Sequence, residues 1–170
     1  MRLKRRRPRK PSSFFEGARY AHIHSRRTKI QSRIVIPIIK ALEKELGKER
    51  AHKIVGQAIA ESYVDYRERL GYELNEHPRN EGENEGNGPA FPVERDVVED
   101  TDVAFGHNIT GCAFADYFRA IGEPEIGALM TCGVDFAAED RIRPDWEFKR
   151  SQTRMQGADF CDFRWQKRAT

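Results

Sequence analysis

The chain has 170 residues, of which 38% are hydrophobic and 34% charged, and its mean hydropathy is −0.76. This length predicts a single domain with a modest core, and no run approaches the roughly 18 apolar residues of a membrane span. The net charge of +3 is unevenly spread, because residues 1–10 hold seven basic residues and no acidic one, which leaves −4 on the rest.

Residues 1–13 are predicted to be a disordered basic arm, because blocks of like charge repel one another. Such an arm can bind nucleic acid, join subunits of a homo-oligomer, or remain a solvated tail. The acidic balance of the other residues argues against nucleic acid as the main partner. The arm lacks the apolar core of a signal peptide, so we expect a cytoplasmic protein.

The first half of the chain predicts a helical hairpin. One helix over residues 34–47 ends at Gly47, a residue suited to a C-terminal cap, with Pro37 in its first turn or at a kink. A second helix over residues 48–70 follows at once, so the two are expected to pack antiparallel. The predicted apolar stripe of the first helix consists of Ile34, Ile38, Leu42 and Leu46.

The second half predicts a small sheet with helices. Residues 75–92 are rich in Gly, Asn and Glu, which indicates an exposed loop or a mobile lid. The elements expected after it are a strand near 101–105, a bend at 106–111, helices over 112–122 and 123–139, and a β-hairpin over 146–166. The expected fold is α+β over residues 14–170: a helical hairpin packed on a small antiparallel sheet, with two further helices and a closing β-hairpin.

Three cysteines carry the sharpest chemical signal. Their odd number and the absence of CxxC spacing predict free thiols; the alternative is that Cys112, Cys132, Cys161 and Asp135 converge on a metal such as zinc, which their spacing does not favour. Cys112 opens a predicted helix, where the helix dipole lowers a thiol pKa and suits a nucleophile; the alternative is a buried cysteine that acts as a small hydrophobic residue. Cys161 is expected on the inward face of the last strand, and Asp162 on the other face.

Asp135 lies in an apolar stretch and shares a predicted helix face with Cys132. A carboxylate there is either paired in the core or functional, because burial of an unpaired charge is costly. In a functional role it would bind a cationic or amidine-like substrate, or orient a water molecule. His107 and Asn108 lie in the predicted bend before Cys112, where His107 is a candidate general base or a surface histidine. No phosphate-binding, dinucleotide-binding or metalloprotease motif is present, so no cofactor is expected.

Three segments of the second half form a recognisable set: GCAFADYFRAIGEPEIG at 111–127, CGVDFA at 132–137 and RSQTRMQGADFCDFRW at 150–165. Together they resemble the L-2-amino-thiazoline-4-carboxylic acid hydrolase family. The resemblance extends over about residues 30–166, and its closing motif is the most specific part. The positions that match the family pattern are Cys112, Asp135, Gly157, Cys161, Asp162 and Phe163.

The resemblance implies hydrolysis of a C–N bond in a cyclic amidine, with a thiazoline ring opened to an N-carbamoyl amino acid. Cys112 or a water molecule would attack the amidine carbon, Asp135 would pair with the amidinium nitrogens, and Cys161 would line the pocket. An alternative is a small-molecule-binding or sensor domain on the same scaffold, without turnover. The other candidate substrate-binding residues are His107, Asn108, Cys132 and Asp162.

Overall fold

The computed structural model describes residues 14–70, 74–80 and 93–169, with side chains from residue 28 onward except those of residues 67, 68 and 70. The predicted basic arm, and with it the expected role in oligomer formation, lies outside these residues. So does most of the predicted polar loop. Within the described residues, no helix combines the length and the apolar character needed to cross a membrane.

The helical hairpin consists of α1 (Phe14–Leu46) and α2 (Lys48–Leu70). Gly47 between them has φ +80°, a left-handed conformation that ends α1 and reverses the chain. The hairpin is confirmed, although α1 is longer than predicted and Pro37 lies inside it. The two helices contact each other.

The core-facing side of α1 differs from the predicted stripe. Ile39 and Ser32 are fully buried, whereas Ile34 and Ile38 are 62% and 54% exposed. The Ser32 hydroxyl lies 2.7 Å from the Tyr117 hydroxyl, in a hydrogen bond that joins α1 to a later helix. A polar residue therefore occupies a core position that hydrophobic periodicity alone could not select.

The sheet contains four antiparallel strands in the spatial order β1-β2-β4-β3 within the described residues. The α+β fold and the closing hairpin are as predicted. A positive φ at Gly157 turns the chain before the last strand. The strand bounds are β1 (Val93–Asp100), β2 (Ala104–Cys112), β3 (Trp146–Lys149) and β4 (Cys161–Lys167).

The bend predicted at residues 106–111 is wrong, because this segment is the second half of β2. Strands on both sides pair with it, and their ladder hydrogen bonds outweigh the turn preference of its glycines. A Cβ at Gly106 would lie 3.0 Å from the Arg164 side chain, and one at Gly111 would lie 2.9 Å from Glu94. Both glycines therefore allow a long side chain to cross the strand closely.

A layer of shorter helices lies between the sheet and the hairpin. The predicted helix over 123–139 is divided by a π-helical turn at Ala128–Cys132. The hairpin packs on this layer, mainly through α2 against the last of its helices, and that helix contacts β3. The α-helices of the layer are α3 (Ala113–Ala120), α4 (Pro124–Gly127) and α5 (Val134–Ile142).

The inner face of the sheet forms an aromatic core with α5. Phe105, Trp146 and Trp165 are almost fully buried there, and Phe148 and Phe163 pack against them. The Trp165 indole donates a 2.7 Å hydrogen bond to Glu139 of α5, which fixes the helix on the sheet. This attachment places the start of α5 beside the end of β3.

Candidate active site

The three free thiols lie around the start of α3 and the short 3₁₀ turn at Arg154–Gln156. Cys112, the last residue of β2, and Cys132, in the π-helical turn, pack on the same apolar cluster. Cys161 accepts a hydrogen bond from the Arg154 amide at 3.2 Å. A negative charge on Cys112 would raise the pKa of Cys132 and that of Cys161. This Coulomb interaction weakens with distance. The cluster that Cys112 and Cys132 share consists of Ala115, Phe118 and Met155.

Burial raises the pKa of all three thiols. It raises the pKa of Cys132 to about 11 and raises that of Cys112 and Cys161 above the ordinary thiol value. The amides of Phe114 and Ala115 at the start of α3 lower the pKa of Cys112, as expected at a helix N-terminus, but desolvation outweighs them. The predicted low pKa of Cys112 is therefore wrong, and the thiols are protonated at neutral pH.

Asp135 lies in the first turn of α5, next to the thiols. Its carboxylate accepts a hydrogen bond from Arg150, which follows β3, in a pair whose side chains are 28% and 6% exposed respectively. The charge of Asp135 raises the pKa of Cys132 and of Cys161, so it lies within range of both. Asp135 is therefore paired, which is one of the two alternatives that the sequence leaves open for this carboxylate. It also borders the thiol cluster.

Arg150 was not selected from the sequence, although it opens the closing family motif. Its second Nη group donates a 2.8 Å hydrogen bond to the backbone carbonyl of Cys132. Its guanidinium carbon lies 5.0 Å from the ring centre of Phe136 and 5.2 Å from that of Phe163, distances typical of cation–π contact. The only sequence signal was a basic residue at a strand end, a common feature of exposed loops.

His107 is buried on the inner face of β2 and is not in a surface loop. Its ring stacks on Phe163, with centres 5.1 Å apart and an angle of 19° between the planes. Its Nδ1 atom has no hydrogen-bond partner among the described residues. Burial, helped by the charges of Arg95 and Arg164, lowers the pKa of His107 to about 3, so the imidazole is neutral and a weak base.

Asn108 and Asp162 lie on the sheet face opposite to His107 and Cys161, because neighbouring residues of a strand point to opposite sides. The Asn108 amide oxygen accepts a 2.8 Å hydrogen bond from Arg164. The Asp162 carboxylate accepts three hydrogen bonds from the loop after β3, at 2.6–2.9 Å. Burial raises the pKa of Asp162, but these hydrogen bonds lower it overall. The structure therefore does not bring these two side chains to the thiols.

A family model described as L-2-amino-thiazoline-4-carboxylic acid hydrolase matches residues 27–165. The chain belongs to this family. The match confirms the resemblance stated from the sequence, and it includes both hairpin helices from residue 27, the whole sheet to Trp165 and every candidate site residue. No curated protein matches the chain.

In the part of the chain that the structure describes, no three His, Cys, Asp or Glu side chains are arranged to hold a metal ion. The thiol cluster is instead bordered by one carboxylate–guanidinium pair and by aromatic rings. These groups are suited to a planar organic cation, which a carboxylate attracts and a ring face can stack on.

The buried imidazole of His107 predicts a loss of stability in acid. Below a pH of about 6.5 the unfolded chain takes up a proton that the folded chain, with a pKa of about 3, does not bind. The free energy of unfolding therefore falls as the pH falls through this range. The free energy of unfolding, measured by urea titration, should fall between pH 7 and pH 5 by about 2 kcal/mol more for the wild type than for His107→Phe.

A neighbour in the same aromatic stack provides the control for this prediction. Phe105 lies 5.7 Å from His107, ring centre to ring centre, and carries no titratable proton. Phe105→Leu should lower the free energy of unfolding by the same amount at both pH values relative to wild type. If His107→Phe and wild type lost equal stability between pH 7 and pH 5, the neutral state of His107 would be disproved.

Proposed function

We propose that the chain hydrolyses a cyclic amidine that bears a carboxylate, as in 2-amino-thiazoline-4-carboxylate, and opens the ring to an N-carbamoyl amino acid. The observation that carries this proposal is that Arg150 binds both Asp135 and the carbonyl of Cys132, whose side chain packs on the same apolar cluster as Cys112. The family name supports hydrolysis as the reaction class. The geometry supports a substrate with one electrophilic carbon and a cationic group beside it.

In this proposal Asp135 binds the amidine. An amidinium group is planar and presents parallel N–H donors, which match a carboxylate in charge and shape. Asp135 is the more accessible member of its ion pair, because its side chain is 28% exposed and that of Arg150 is 6% exposed. The amidine would bind in its neutral form through its N–H groups, and it would become the more electrophilic amidinium as it takes up the thiol proton.

The proposed nucleophile is Cys112, and the substrate itself accepts the thiol proton. Because burial keeps the thiol protonated, a C–Sγ bond forms at the amidine carbon as the proton moves to the ring nitrogen. The ring sulfur then leaves with its bonding electrons. Water adds to the same carbon, one of its protons passes to the ring sulfur, and the other returns to Cys112 as the C–Sγ bond breaks.

The bond that breaks depends on the ring. In a 2-amino-thiazoline, the N-carbamoyl product keeps both nitrogens on the former amidine carbon, so ring opening must break the C–S bond. The C–N cleavage expected from the sequence applies to a cyclic amidine with nitrogen at both ring positions. For a thiazoline substrate we therefore propose C–S opening, which releases a product thiol.

Turnover of 2-amino-thiazoline-4-carboxylate tests the proposal. Catalytic amounts of protein should yield a product heavier by one water, with a new thiol, detected by mass spectrometry before and after alkylation. Asp135→Asn should lower kcat/KM by about 100-fold, because a neutral amide binds the amidinium cation less well. Asp140→Asn makes the same charge change at an exposed position of α5 and should turn over normally.

Two results would overturn this function. One is calorimetric binding of the amidine without any product, which would favour the small-molecule-binding or sensor alternative. The other is unchanged kcat/KM in Asp135→Asn, which would remove the carboxylate from substrate recognition. A product heavier by one water but without a new thiol would instead show opening at the C–N bond.

A further inference from the structure

We propose that Arg150 is a positioning residue, which holds Asp135 in the orientation needed to bind substrate and fixes the π-helical turn that carries Cys132. This inference rests on the proposed role of Asp135 in amidine binding. Arg150 is not proposed to touch the substrate. It acts through the two groups that its guanidinium holds.

The guanidinium joins two separate points of the site. One Nη group donates to the Asp135 carboxylate in α5, and the other donates to the Cys132 carbonyl in the preceding turn, at 2.8 Å. The planar, rigid fork of an arginine fixes the distance and angle between two such acceptors, which a lysine ammonium cannot do. The relative placement of Asp135 and Cys132 is therefore set by one side chain.

Arg150 is itself held in place by two aromatic rings. The ring of Phe136 lies on one side at 5.0 Å and that of Phe163 lies at 5.2 Å, and the side chain is 6% exposed. Phe163 is in turn stacked on His107 of the neighbouring strand. A charge buried this deeply needs its partner, because an unpaired buried charge strongly destabilises the folded protein. These contacts leave Arg150 little freedom to move with a ligand.

The same guanidinium balances the charge beside the thiols. Asp135 raises and Arg150 lowers the pKa of both Cys132 and Cys161. Removal of Arg150 alone would leave the Asp135 carboxylate without this counter-charge and make thiolate formation harder. A residue with only a packing role would not change the proton affinity of these thiols in this direction.

Alkylation of the thiols tests this effect without any substrate. We expect Arg150→Met to react with iodoacetamide about tenfold more slowly at Cys132 and Cys161 than wild type at each pH below the thiol pKa, as peptide mass spectrometry can measure. Tenfold slowing corresponds to a pKa rise of about one unit. The control is Lys149→Met, which removes the adjacent exposed charge and should leave these rates unchanged. Faster or equal alkylation in Arg150→Met would overturn the proposal.

Arg150→Lys tests the planar fork of the guanidinium separately from its charge. It also takes the place of Arg150→Met in this experiment if the methionine variant does not fold. It keeps the positive charge, so its alkylation rates should stay within about twofold of wild type. It loses the planar fork, so kcat/KM for the amidine should fall about 100-fold through misplacement of Asp135. Wild-type kcat/KM in Arg150→Lys would disprove positioning by the fork. If the wild type turns over no amidine, the proposed function fails, and the alkylation rates still decide whether Arg150 controls the thiols.

Discussion

Glu139→Ala should lower the free energy of unfolding by about 3–5 kcal/mol, the largest stability loss that we expect from one substitution. Both carboxylate oxygens of Glu139 accept hydrogen bonds from Arg143 at 2.7 Å, and one also accepts from the Trp165 indole at 2.7 Å. Arg143 is 1% exposed, so the alanine variant would leave a guanidinium buried without its counter-charge. Urea unfolding followed by tryptophan fluorescence would measure the loss.

The exposed pair of Lys48 and Glu125 provides the matched control. Their side chains are 60% and 62% exposed, so water already solvates both charges. Glu125→Ala should therefore change the free energy of unfolding by less than about 1 kcal/mol. If the two glutamate variants lost equal stability, the buried network would contribute no more than a surface ion pair.

The Glu139 network also links stability to the proposed site. Arg143 also donates a hydrogen bond from Nε, at 2.9 Å, to the carbonyl of Glu76 in the segment after the hairpin. The network thus joins α5 to β4 through Trp165 and to the chain beyond α2. Because Asp135 begins the same helix, its position relative to the sheet depends on these bonds. A variant with a weakened network should lose site geometry before it loses the fold.

Local sequence patterns predicted the structural features that depend on residues close together in the chain. The helical hairpin was predicted because Gly47 interrupts two long helical patterns, and a left-handed glycine there reverses the chain. The inward face of β4 was predicted from strict alternation, and Cys161 and Trp165 are indeed buried. The spacing of Cys132 and Asp135 predicted that they share one helix, but Cys132 ends the π-helical turn and Asp135 lies in the first turn of α5.

What the sequence could not predict depends on contacts between distant segments. Ser32 is buried on α1 because Tyr117, distant in the chain, offers a hydroxyl partner. The pKa of Cys112 rises because tertiary packing removes water, an effect larger than that of the local helix N-terminus. Arg150 acquires its place only when α5, β3 and β4 meet. Each of these outcomes requires the folded structure.

Cys112→Ala should lower kcat for amidine hydrolysis at least about 1,000-fold, because it removes the proposed nucleophile and leaves only substrate binding. The residue lies at the junction of β2 and α3, and alanine fits the same backbone without a helix-capping loss, since the thiol makes no cap hydrogen bond. Substrate affinity, measured by calorimetry, should stay within about threefold of wild type. Rapid-quench assays on the wild type should also trap a covalent adduct on Cys112.

The raised thiol pKa gives this prediction a second, independent test. A preformed thiolate would give a kcat/KM that rises with pH until the thiol is ionised. In the proposed mechanism the substrate nitrogen takes the proton, so kcat/KM should instead level off above the pKa of the free amidine and should not require ionisation of Cys112, whose pKa is raised by burial. Full activity in Cys112→Ala would eliminate the thiol mechanism and leave attack by water. In that case Asp135 would remain as the group that binds the amidine, and the three thiols would serve only to line the site.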